Sequence, residues 1–223
     1  MKGLGKCLLV VAFMVSLLFV AGNAGAYTFY LTKGNVAGSG EPDGLSIYEP
    51  NYFARVDVGL TDENSATIKF TALNNFMFYD SSIVNVNINS TSFSVTPPTV
   101  TGWTSSSGGQ VDGFGNFNVN LNYVTAGGPS VNALSEITFG IENIGGTWSS
   151  DTVVLTDNNK KYLAAAHMGF TNNNGASFVN TGFAGGDGSV TTVAPPVPVP
   201  PTVWLLGAGL VGLWGVRRRF LKK

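Results

Sequence analysis

Through the middle of the chain, apolar and polar residues alternate one by one. Asn116 to Tyr123 is the plainest stretch: Phe117, Val119, Leu121 and Tyr123 fall on one side of an extended backbone, and Asn116, Asn118, Asn120 and Asn122 on the other. The same period of two sets Val84, Val86 and Ile88 against Asn85, Asn87 and Asn89. It recurs with Ile68 and Phe70, with Val56 and Val58, and with Ile137, Phe139 and Ile141. Strands of this kind have one buried and one wet face, which is the pattern of antiparallel sheet. The four apolar residues of 116–123 are therefore expected to share a buried face, and the four asparagines to face water or a groove. Leu121→Ala is expected to be costly and Asn120→Ser cheap.

Turn signals punctuate these stretches at Pro42-Asp43-Gly44, Pro97-Pro98, Ser107-Gly108-Gly109, Asp112-Gly113, Gly127-Gly128-Pro129, Gly145-Gly146 and Asn172-Asn173-Asn174-Gly175. Residues 161–167 read as a further strand. Many short strands, each with one apolar face, predict an all-β domain over residues 27–193. Its expected form is an antiparallel β-sandwich, jelly-roll or immunoglobulin-like.

The two ends carry a different pattern. Lys2 and Lys6 precede an apolar run over Leu8–Val20, and Ala24 and Ala26 place small residues where a signal peptidase inspects the chain. Residues 1–26 are thus expected to be a signal peptide, cut before Tyr27. Cys7 is the one cysteine, and it lies ahead of the apolar run, so the exported part would hold neither disulfide nor thiolate. Near the other end, residues 194–201 are proline-rich and predict an extended polyproline spacer. Residues 202–216 are uncharged and apolar, bracketed by Trp204 and Trp214, and span about 22 Å as a helix. Arg217, Arg218, Arg219, Lys222 and Lys223 follow within 217–223, a basic cluster that holds its side of a membrane helix in the cytoplasm.

The run Val197-Pro198-Val199-Pro200-Pro201, then Thr202-Val203-Trp204-Leu205-Leu206, then glycine-spaced apolar residues and the arginines, resembles a PEP-CTERM sorting signal. It is closest to the variant whose motif reads Val-Pro-Leu-Pro; the commonest form has Glu where this chain has Val199. The resemblance covers residues 197–223 and none of the rest. It implies export through the inner membrane of a Gram-negative bacterium, transient anchoring there by the tail, and processing by an exosortase. The destination it implies is the cell surface or an exopolysaccharide biofilm matrix.

Charge sharpens the picture. The chain holds 12 Lys and Arg and 13 Asp and Glu. Only Lys33, Arg55, Lys69, Lys160 and Lys161 lie between the two ends, whereas all 13 acids do, so that region carries a formal charge of −8. Such a domain repels phosphate backbones, which argues against a nucleic-acid partner. Candidate chemistry is sparse. His167 is the one histidine, so Ser-His catalysis lacks a Gly-x-Ser-x-Gly elbow and zinc lacks a second imidazole. No cofactor or metal is expected. Glu136, Glu142, Asp112 and Asp151 are the carboxylates a glycosidase could pair. Asp62-Glu63-Asn64 and Asp157-Asn158-Asn159 are the densest oxygen clusters, and they match turns better than calcium loops. Trp103, Phe114 and Trp148 lie near Gly/Ser-rich segments, where rings can stack on sugars or fill a core. The expected protein is non-enzymatic: a structural or adhesive surface domain, with an exopolysaccharide-binding module as the alternative and a polysaccharide-active enzyme third.

Overall fold

The structure, a computed structural model, describes residues 26–36, 44–79, 83–99, 102–123, 133–172, 177–189 and 191–192. The apolar N-terminal run with Ala24, the proline motif Val197–Pro201, the apolar run 202–216 and the terminal basic cluster lie outside these residues. Ala26 is described and is exposed. Among the described residues no helix is long and apolar enough to cross a membrane.

The described residues fold as antiparallel sheet with almost no helix. Its strands are β1 (Tyr27–Leu31), β2 (Lys33–Gly34), β3 (Ala54–Leu60), β4 (Ser65–Ala72), β5 (Phe76–Phe78), β6 (Val84–Val86) and β7 (Phe93–Thr96). They continue as β8 (Trp103–Val111), β9 (Gly115–Tyr123), β10 (Glu136–Asn143), β11 (Ala164–Phe170), β12 (Asn180–Gly186) and β13 (Thr191–Thr192). Two short 3-10 turns, at Ser46–Tyr48 and Asp151–Val153, are the helical elements among the described residues. One sheet runs β13-β1-β3-β4-β10-β7, and the other β2-β12-β11-β6-β9-β8 with β5 also paired to β11. Every ladder among the described residues is antiparallel, as the alternation predicts.

The alternation works because each strand delivers its odd or even set to one shared interior. Phe29 and Leu31, Val56 and Val58, Ile68 and Phe70, and Ile137, Phe139 and Ile141 come from the first sheet. Val84, Val86, Val119, Leu121, Ala164, Ala166 and Met168 come from the second, and all belong to one buried cluster. Removing that apolar area from water is the main force holding the sheets together. Phe70 meets Phe78 edge-on across the interior, with ring centres 6.1 Å apart. Tight links need little chain: β3 and β4 are joined by Thr61–Asn64, where Asp62 Oδ1 accepts the Asn64 backbone N–H at 2.8 Å. That hydrogen bond holds the Asp62 carboxyl below the usual aspartate range.

Three expectations need correction. Ser107-Gly108-Gly109 is no turn; it lies inside β8, and the chain reverses at Asp112–Phe114 instead. Gly108 takes φ +78°, a value open to glycine, and the pairing with β9 continues past it to Val111 in one register. The second correction concerns the far end of the same hairpin. Past Gly108 the β8–β9 hairpin leaves the main interior, and Phe117 joins Val111, Phe114 and Ala165 in a second buried cluster with Tyr162 and Phe183 at its border. Val119 and Leu121 stay in the main cluster with Tyr123 half-buried against it, so the expected single face of 117–123 is split. Third, the polar set is not uniformly wet. Asn85 and Asn120 are 0% and 6% exposed, and Asn120 Nδ2 donates to Asn85 Oδ1 at 2.8 Å. Their strands are paired with these two residues opposite each other.

The segment 161–167 is strand in part. β11 begins at Ala164, while Lys161 sits in a turn at φ +70°. Asn158 organises that turn: its Oδ1 accepts the backbone N–H groups of Lys160 and Tyr162 at 2.9 and 3.0 Å, and its Nδ2 donates to Phe114 O at 2.8 Å. The turn thereby clamps the hairpin tip over the outside of the second sheet.

Candidate functional site

The sheet ends place the candidate residues unequally. Trp148 is 3% exposed and donates from Nε1 to Asn89 O at 2.9 Å; Phe114 is 2% exposed, T-shaped against Tyr162. Both rings fill interior space. A Cβ on Gly185 would collide with the Phe114 ring, so the ring lies against β12 where the strand lacks a side chain.

Trp103 is different. It opens β8 directly opposite Tyr123 at the end of β9, and the two half-buried rings pack with centres 4.8 Å apart, tilted by 33°. Their pairing at the mouth of the hairpin leaves a cleft of about 130 Å³ bounded by Pro98, Trp103, Tyr123, Leu134, Glu136 and Thr138. Pro98, Glu136 and Thr138 also line a shallow, wider depression of about 390 Å³, which continues over Thr67, Thr96 and Gly140. Trp103 and Glu136, two candidates 33 residues apart in the chain, are therefore brought to one groove. Strand alternation explains its floor. Ile137 and Phe139 turn inward, so Glu136, Thr138 and Gly140 turn outward beside Thr67 of the neighbouring strand.

The groove's electrostatics are moderate. Glu136 pairs with Lys69 Nζ at 2.8 Å, both ends being partly in solvent. One strand further, Arg55 Nε donates to Asp57 Oδ2 at 2.9 Å, and Thr28 Oγ1 donates to Asp57 Oδ1 at 2.7 Å. This outer face thus offers hydroxyls and compensated charges beside one aromatic edge. Such a surface suits hydroxyl-rich ligands better than strongly charged ones.

The other candidates are not drawn into the groove as a catalytic set. Glu136 and Glu142 lie on one strand six residues apart, about 20 Å along it. Glycosidase carboxylates stand about 5–9.5 Å apart, so this pair cannot act together on one bond. Glu142 accepts from Ser94 Oγ at 3.3 Å. Asp112 accepts from Asn35 Nδ2 at 3.0 Å, joining two loops, and Asp151 accepts from the Leu60 backbone N–H at 2.7 Å, tying a 3-10 turn to β3. His167 is half-buried, stacked on Phe183 at 4.5 Å and edge-on to Tyr79 at 5.3 Å. Among the described residues no group of three or more His, Cys, Asp or Glu could hold a metal ion.

Sequence reasoning did not single out Tyr123, Pro98, Thr138, Thr67 or Thr96 as site residues. The usable signal was the outward parity of Glu136 and Thr138, which the alternation of 136–142 already contained. Molecules with this architecture are all-β proteins built from two antiparallel sheets around a shared interior. Comparison with protein-family models, with curated proteins and with solved structures found no match.

Proposed function

We propose that this chain is an exported surface or biofilm-matrix protein of a Gram-negative bacterium, with a structural or adhesive ectodomain. In this reading a signal peptidase releases the N-terminus at Tyr27. The tail holds the protein in the inner membrane until an exosortase cuts near Pro198-Val199-Pro200. The ectodomain is a β-sandwich of jelly-roll or immunoglobulin-like type. The observation that carries the reading is the order of parts at the C-terminus: proline motif, short apolar run, arginine cluster, in a chain that opens with signal-peptide character. Polyproline backbone does not pair its own carbonyls, so it stays solvated and open to a protease, while the cations resist translocation. Two antiparallel sheets around a shared core, with no disulfide needed, fit a stable extracellular body. Mass spectrometry of surface-released protein is expected to show Tyr27 at the N-terminus and a C-terminus in or beside the proline segment. Mature surface protein still ending at Lys223 refutes the sorting step.

A second reading, exopolysaccharide binding, is favoured by the groove that joins Trp103 and Tyr123 to Glu136 and Thr138. A ring face beside hydroxyl and carboxylate acceptors is the chemistry that recognises a neutral sugar chain. Trp103→Ala is expected to weaken binding on a glycan array about tenfold, the equivalent of 1.4 kcal/mol of stacking. The array is equally informative in the negative: no glycan retained by folded wild-type protein removes this second reading and leaves the first standing.

A further inference from the structure

Among the described residues the two sheets have four edges, and three of them are short. β13 and β2 contain two residues each, and β7 contains four before Pro97-Pro98 ends it. The fourth edge is β8, nine residues long and so about 30 Å. It pairs with β9 on one side, and no other described strand pairs with it. Edges of this length usually carry lysine, proline or a covering segment, because unpaired backbone N–H and C=O groups invite another strand. β8 has neither charge nor proline: it reads Trp103-Thr104-Ser105-Ser106-Ser107-Gly108-Gly109-Gln110-Val111, and Thr104 through Ser107 are exposed. Gly108 takes a left-handed φ of +78°, so the stretch ahead of that interruption is Trp103–Ser107.

We propose that two copies of this protein join through that portion, edge to edge and antiparallel, about a two-fold axis at Ser105. Ser105 then faces Ser105, Thr104 faces Ser106, and Trp103 faces Ser107 of the second copy. The occupant is a second copy because the segment complements itself. Two-fold pairing sets small hydroxyl side chains against one another at the centre, the kind of cross-strand pair that hydrogen-bonds well. Charge selects the same place. The region between the two ends carries −8, so copies repel over most of their surface, and β8 is a long edge where they meet without opposing charges. The second sheets of both copies become one continuous sheet, which extends a structural ectodomain in a fixed direction and places two Trp103 grooves at one junction.

The test uses a charge swap at the axis, read by sedimentation of the full chain in detergent. Wild type is expected to sediment as a dimer. Ser105→Lys and Ser105→Glu each set two like charges directly opposite and are expected to sediment as monomers, folded by circular dichroism, since Ser105 is exposed. An equimolar mixture of the two is expected to regain the dimer. A monomeric wild type at high micromolar concentration overturns the proposal. So does a dimer that survives both single substitutions, because association then runs through another surface, such as the apolar tail common to all variants. A mixture that stays monomeric overturns the two-fold register and with it the proposal.

Discussion

Replacing Asn120 by alanine tests the least expected feature of the interior. Asn120 lies on β9 among residues whose neighbours alternate outward, yet it is buried and donates to the fully buried Asn85 at 2.8 Å. Truncation removes a buried amide–amide hydrogen bond and leaves a gap where the Asn120 amide stood. Losing a buried polar contact costs about 1–3 kcal/mol, well above the ~0.5 kcal/mol of an ordinary surface change. For a domain of this size each kcal/mol lowers Tm by about 2–4 °C, so the expected drop is about 2–12 °C. Asn116→Ala, on the same strand but exposed, is the control and is expected to shift Tm by no more than about 2 °C. Leu121→Ala, its neighbour in the main interior, sets the upper reference at about 2–5 kcal/mol. The assay is paired thermal and urea denaturation of the three variants. A double variant, Asn85→Ala with Asn120→Ala, is expected to cost less than the sum of its parts, since both truncations remove the same hydrogen bond. Asn120→Ala as stable as Asn116→Ala, or strict additivity in the double variant, refutes the reasoning.

Other outcomes follow from neighbouring features. Phe114→Ala empties the second cluster and is expected to cost about 3–5 kcal/mol. Gly185→Ala is expected to cost about 1–3 kcal/mol in the wild type and almost nothing once Phe114 is gone, measured by urea midpoints. Stability is expected to plateau at neutral pH and to fall at both ends. Hydrogen bonds from Asn64 keep Asp62 ionised below the ordinary aspartate value of 3.8, and at Asp187 burial pushes upward but the bonds from Ser189 outweigh it. Both contributions are therefore present above 3.8 and are lost as pH falls through the lowered folded-state values. Burial raises Tyr27 and Tyr48 above 10.0, with Asp187 and Asp157 adding to the effect at Tyr27; their contribution is present below pH 10 and is lost as pH rises through the raised values. Urea midpoints that climb beyond pH 10.0 contradict this sign. Polysaccharide turnover is expected to be absent from wild type and His167→Ala alike; hydrolysis lost in a folded His167→Ala protein shows that the chain is an enzyme.

Local order was legible because it is encoded one residue at a time. Period-two alternation identified β3, β4, β9 and β10 as strands, and for β3, β4 and β10 the inward set as well, since a side chain's face on a strand follows parity. The same rule put Glu136 and Thr138 outside. Parity says nothing about what lies opposite a face, and there the tertiary structure decided. Asn85 and Asn120 have the sequence pattern of wet residues, but their strands pair so that one amide meets the other away from water. Gly108 reads as a turn residue, yet the chain reverses five residues later at Gly113 and β8 runs on through the glycine. Phe117, which shares its parity with Val119, packs in a different cluster. The groove has the same origin. Trp103, Tyr123 and Glu136 come together because β8 pairs with β9 while β10 lies in the other sheet, a closure made of contacts far apart in the chain. A sequence lists those residues separately; only the folded backbone gives them a common wall.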